Sequence, residues 1–129
     1  MTEGADALIT QKDLLLGIQW VSFGASGAAP LNSGWVNQGA PYQVAQYGIA
    51  PDGTVHLRGL IKQTNTSLTP FTLPAGYRPG AAEVFNSGFG NSYVSITIPS
   101  TGAAVLNAIS GGLLTGLYVS LSGIHFDPA

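Results

Sequence analysis

From Trp35 to the C-terminus, glycine or proline interrupts the chain every few residues, and no apolar period of about 3.6 residues runs for three turns. That pattern excludes ordinary amphipathic helices and predicts short strands joined by tight turns. In GTVHLRGLIK (53–62), Val55, Leu57, Gly59 and Ile61 point one way, while His56, Arg58, Leu60 and Lys62 point the other. Ahead of it APDG (50–53) is a reversal signal, so YQVAQYGI (42–49) and 53–62 are expected to form a hairpin. NSYVSITI (91–98) alternates in the same manner, with Val94, Ile96 and Ile98 on one face. In TGLYVSLSGIHF (115–126), Leu117, Val119 and Leu121 share one phase and Ile124 and Phe126 the opposite one. A one-residue slip at Ser122-Gly123, made by a glycine bulge, reconciles the two. Short strands at this spacing predict an all-β fold, an antiparallel β-sandwich of jelly-roll type.

Residues 1–33 read differently. The first thirteen hold Glu3, Asp6, Lys12 and Asp13, and GASGAAPLNSG (24–34) is rich in small residues. Thr10 with Asp13 could cap a short helix through DLLLGI. The expected organisation is a short N-terminal arm and linker over 1–33 and a β-sandwich domain over 34–129.

A chain of 129 residues suits one domain. Only 8% of its residues are charged, and between Leu14 and Phe126 the charges are Asp52, Arg58, Lys62, Arg78 and Glu83 alone. With a mean hydropathy of +0.27, much of the exterior must be neutral, as on surfaces that bury against copies of themselves. No apolar run reaches the roughly 20 residues of a spanning helix, and the acidic N-terminus does not suit a signal peptide. A net charge of −2 with scattered bases disfavours nucleic acid as a partner. Without cysteine there are no disulfides and no thiolate metal sites.

The material for catalysis is two histidines and six carboxylates. His56, His125 and Asp127 follow no metal-binding spacing, Asp52 reads as a turn residue, and Glu83 is a lone carboxylate. SGFGN (87–91) lacks the lysine and following helix of a phosphate loop and reads as a loop between strands. No catalytic, cofactor-binding or metal-ligating residue is therefore expected. Trp35, Tyr42, Tyr47, Tyr93 and Tyr118, near Asn37, Gln43, Gln46, Asn91 and Ser120, suit either a sugar site or a neutral subunit interface, and the low charge favours the interface. In TLPAGYRP (72–79) Pro74, Gly76 and Pro79 stiffen a corner, with Tyr77 covering the core edge and Arg78 capping carbonyls or pairing with Glu83. His56, Arg58 and Lys62, with Tyr77 and Arg78 of this corner, form the candidate polar contact surface.

The succession GWVNQG (34–39), YGIAPDGTVHLRGLIK (47–62), FTLPAGYRP (71–79), YVSITI (93–98) and YVSLSGIHF (118–126) resembles the C-terminal β-domain of bacteriophage minor tail and tail-fibre proteins, especially those of actinobacterial phages. The resemblance spans about 34–127 and is carried by DGTVHLRG, TLPAGYRP and LSGIHF in this order. It implies a non-enzymatic virion module on the particle surface, commonly a homotrimer, assembled in the host cytoplasm and able to contact a host-surface glycan. In the proteins it resembles the domain ends a longer chain, whereas here a short arm precedes it. Leu8, Ile9, Leu14, Leu15 and Leu16 would anchor that arm to a neighbouring virion protein, of the tail or, alternatively, of the capsid lattice in a decoration role.

Overall fold

The structure, a computed structural model, describes residues 17–89, 92–109 and 118–129. These form ten strands: β1 (Gln19–Ser22), β2 (Trp35–Asn37), β3 (Gln46–Ile49), β4 (Val55–Arg58), β5 (Leu60–Gln63), β6 (Glu83–Phe89), β7 (Ser92–Ile98), β8 (Val105–Ile109), β9 (Tyr118–Ser120) and β10 (His125–Phe126). All pairings are antiparallel, in sheets of order β1-β3-β4-β10, β2-β5-β9 and β6-β7-β8. One face of each sheet enters a common core: Tyr47, Leu57 and Phe126 from the first, Trp35, Ile61 and Val119 from the second, Ile96, Ile98 and Leu106 from the third. The all-β, antiparallel fold is therefore as expected. Among the described residues no helix is long and apolar enough to cross a membrane.

The β3–β4 hairpin forms at the predicted turn, with Ile49 opposite Val55. Gly53 N–H donates to Ala50 O at 2.8 Å, Ala50 N–H donates to Thr54 O at 2.8 Å, and Gly53 takes φ 90°. This is the bulged turn that a glycine makes cheap.

Residues 53–62 are one alternating stretch but not one strand. The chain breaks at Gly59 (φ 115°), so that β4 serves the four-stranded sheet and β5 the β2-β5-β9 sheet. A Cβ at Gly59 would lie 2.5 Å from Ala45 Cα and from Val44 O, which explains why the crossing point is glycine. Its antiparallel partner changes sheets at the same level. Leu60 stands opposite Ser120 but His56 opposite His125, so the register moves by one residue across Ser122-Gly123. The predicted slip is thus real, and it keeps Leu121, Ile124 and Phe126 all buried.

A second seam closes the molecule on the other side of β9 and β10. Ser87 Oγ of β6 donates to Ser120 O at 2.7 Å and accepts from Ser120 N–H at 3.0 Å. Further along, Phe85 lies 6.3 Å from Phe126 between ring centroids, Pro79 bridges to Pro128, and Ala129 N–H donates to Arg78 O at 2.8 Å. Residues 78–87 therefore run antiparallel to 120–129, with side chains taking over where the backbone ladder is absent.

Two expected boundaries move. Residues 17–33 belong to the fold, since β1 pairs with β3 and Ile18 and Phe23 are buried. The small-residue stretch is pinned as well: Ala29 N–H donates to Tyr47 Oη at 3.1 Å, Phe23 packs edge-on to Tyr47 at 4.8 Å, and Leu31 bridges to Phe71. Within this stretch Ala28, Ala29 and Leu31 pack against the core, while 24–27 stay exposed. Leu8, Ile9, Leu14, Leu15 and Leu16, with most of the expected helix, lie outside the described residues. Likewise, Ser87 to Phe89 of the expected 87–91 loop belong to β6, because Ser87 has a buried bonding role that its composition does not advertise.

Candidate functional site

Alternation along β1, β3, β4 and β10 sends Tyr47, Val55, Leu57 and Phe126 inward and leaves a polar outer face. Across it the register lines up Trp20, Gly48, His56 and His125 in one row and Ser22, Gln46 and Arg58 in the next. Gly48 leaves room in the first row for Ile18, whose Cγ2 would lie 2.7 Å from a Cβ there.

The Arg58 guanidinium is held on one face and at Nε. Its Cζ sits 4.0 Å from the centroid of the Trp20 ring, and its Nε–H donates to Gln46 Oε1 at 2.6 Å. Gln46 in turn donates through Nε2 to Ser22 Oγ at 2.8 Å and accepts from Gln43 Nε2 at 3.3 Å. The aromatic face of Trp20 is thereby occupied by the protein's own cation.

His56 and His125 stack, with ring centroids 5.4 Å apart and planes 16° from parallel. Thr54 Oγ1 donates to Asp52 Oδ1 at 2.6 Å, so its 2.8 Å contact with His56 Nε2 must be an N–H donation from the ring. His125 Nδ1 lies 3.0 Å from Gly123 O, an acceptor only, so Nδ1 carries the proton there. The acceptor nitrogens left over are His56 Nδ1 and His125 Nε2. In-plane lone pairs of rings this close to parallel do not converge on one ion, and among the described residues no group of three or more ligating side chains could hold a metal.

Burial lowers the His56 pKa, helped by the charge of His125 and opposed by Asp52. The Asp52 carboxyl is lowered by the hydroxyl and amide of Thr54, with desolvation opposing. The order Asp–Thr–His differs from that of a nucleophilic triad. Here the hydroxyl lies in the middle and gives its proton to the carboxylate, so the imidazole does not activate it.

The predicted contact surface is divided by this geometry. His56 and Arg58 share the outer face just described, but the break at Gly59 carries Lys62 to the β2-β5-β9 sheet, opposite Val36 and Tyr118. Tyr77 turns toward the core side, edge-on to Tyr47 at 4.8 Å. Arg78 Nε–H donates to Leu73 O at 2.7 Å, closing the turn in which Tyr77 N–H donates to Pro74 O at 3.1 Å. Of the two expectations for Arg78, carbonyl capping is what the structure contains.

Of the aromatic residues, Trp35 and Tyr47 are core, and Trp35 Nε1–H donates to Ser67 O at 3.2 Å. Tyr42 is half exposed, while the Tyr93 side chain and Asn91 lie outside the described residues. Trp20 is the site residue that the sequence does not single out, because the register that places it in the row of His56 depends on β1, within the segment expected to be an arm, whereas Gln46, named among the candidate amides, meets Arg58 through the expected β3–β4 hairpin. Comparison with protein-family models, with curated proteins and with solved structures gives no match to this chain.

Proposed function

We propose that this chain is a non-enzymatic structural protein of a bacteriophage particle, an exposed trimeric β-module of the tail and its host-adsorption apparatus. The observation that carries the reading is how the three sequence elements of the resemblance are used. DGTVHLRG forms the turn and β4, LSGIHF forms the bulge and β10 beside it, and TLPAGYRP ends on the backbone bond from Ala129 to Arg78. Their order in the chain thus serves a single architectural feature, the closure of the C-terminal seam. A second support is the use of the polar groups. Asp52, Thr54, His56, Arg58 and Arg78 are engaged in bonds that fix turns and strands, which suits a protein that works by association.

The outer face bearing Trp20, Gln46, Arg58, His56 and His125 is the surface we assign to contact with a host-surface glycan. Purified chain added in excess should compete with particles for adsorption to host cells, and antibody raised against it should label the tail end. Labelling over the shell with no effect on adsorption would replace the tail reading by a capsid-decoration role. Labelling of neither would remove both.

A further inference from the structure

Among the described residues the large apolar side chains left exposed are Val36, Tyr42, Val44 and Val84. The first three surround Leu60. Val36 stands opposite Lys62, which shares its outward phase on β5 with Leu60. Gln38 N–H donates to Leu60 O and Leu60 N–H donates to Gln43 O, both at 3.0 Å, so the 38–43 loop that carries Tyr42 hangs on Leu60. Val44 follows that loop and faces outward, in the phase opposite to the buried Ala45. The result is an apolar area with Lys62 on it and Arg58 next along the chain, across the Gly59 break. Its rows, Val36–Lys62–Tyr118 and Leu60–Ser120, contain no carboxylate.

Residues 1–16 have the complementary make-up, with Leu14, Leu15 and Leu16 in succession and Glu3, Asp6 and Asp13 against Lys12 alone. We infer that this arm of one protomer lies on the Val36–Val44–Leu60 face of the next, its leucines on the apolar area and its carboxylates toward Lys62 and Arg58. The inference rests on the trimeric reading above and names its contact. Chain length directs the arm to another copy. Gln19, where β1 begins, is aligned through Ile49 with Val55, and Leu60 stands five residues further along, about 16 Å at strand spacing. β1 runs toward Leu60, so the chain enters it from the far end. Leu14 is three residues before Gly17 and reaches at most about 11 Å from it, too little to return to its own face. Arms passed in the same sense from each copy to the next make a head-to-tail contact, which closes as a ring when its rotation permits, and a trimer is one such ring.

The chain has no cysteine, so an introduced pair reports the contact: Leu15→Cys with Val44→Cys in the full chain, treated with a short bis-maleimide and run on a denaturing gel. Covalent dimers and trimers should form. Leu15→Cys with Val84→Cys, an exposed position on the β6-β7-β8 sheet, should stay mostly single chains. In sedimentation of the full chain over a concentration series, Val44→Asp and, separately, Leu14→Ser with Leu16→Ser should each raise the concentration of half-dissociation by about tenfold or more. Circular dichroism and melting separate lost assembly from lost folding, and the second variant alters only residues ahead of β1, so it reads assembly even where Val44→Asp fails to fold. A trimeric wild type in which positions 44 and 84 link alike, or in which position 15 links to 44 only within one chain, would overturn the inference and leave the trimer standing. A wild type that is monomeric throughout would remove the trimer, and the inference with it.

Discussion

The hydroxyl of Ser87 both donates to the carbonyl of Ser120, at 2.7 Å, and accepts from its amide, at 3.0 Å, so that one side chain bonds the β6 segment to β9. Ser87 is nearly fully buried. Ser87→Ala should leave both Ser120 backbone groups without that partner and cost about 1–3 kcal/mol in denaturant unfolding. A cost below about 0.5 kcal/mol would mean that the seam is held elsewhere.

Gly59 is the point where one continuous stretch passes between sheets. Gly59→Ala would place a methyl group 2.5 Å from the backbone of Ala45 and Val44 at a φ of 115°. The clash is with main chain, so relaxation must separate β4 from the 44–45 segment. We expect a loss of roughly 3 kcal/mol or more, read by thermal melting. Gly53→Ala is the informative comparison, because that glycine has a similar φ of 90° but open space around it. It should cost only about 1 kcal/mol, the penalty for the backbone conformation.

Arg78 holds the corner rather than a ligand. Its stem lies close to Gly102, where a Cβ would come within 3.0 Å of Arg78 Cγ, and its Nε–H closes the turn on Leu73 O. Arg78→Ala should lower stability by about 1.5–3 kcal/mol, as for hydrogen bonds made by charged groups. The same substitution should change adsorption less than it changes the melting temperature. Unchanged melting with abolished adsorption would reverse that ranking.

His56 gives stability a pH dependence of definite sign. Because folding lowers the His56 pKa from its ordinary value of 6.5, the unfolded chain takes up that proton first as the solution is acidified. The contribution is complete above that ordinary value, falls as pH drops toward the lowered folded value, and is constant below it. Asp52, also lowered on folding, adds a further loss nearer its ordinary value of 3.8. Melting between pH 8 and pH 4 should therefore decline with acid. His125→Gln removes the neighbouring charge that helps lower His56, so its decline should be shallower. An NMR titration placing His56 above the ordinary histidine value would contradict this.

Much of the fold was legible because the alternation of apolar residues survives in the finished structure. Val94, Ile96 and Ile98 are buried as their period required, and the opposite phases of Leu121 and Ile124 announced the register shift at Ser122-Gly123. The division of 53–62 at Gly59 was not legible, since alternation is the same on both sides and only the partners change. β1 was hidden for a related reason: Gln19 to Ser22 form a short edge strand beside a small-residue segment that looks like a linker. The site was legible only residue by residue. His56, Arg58, Gln46 and His125 are named by residue type and the expected hairpin brings Gln46 to Arg58, but the proximity of Trp20 and His125 to them comes from pairing between distant segments, which no local spacing records.

Locating the chain by cryo-electron microscopy of the particle that contains it tests the central proposal most directly. The proposed role predicts three-fold density at the tail end into which this β-domain fits with its Trp20–Arg58 and His56–His125 face turned outward. Density for the chain over the capsid lattice, with none at the tail end, would contradict it.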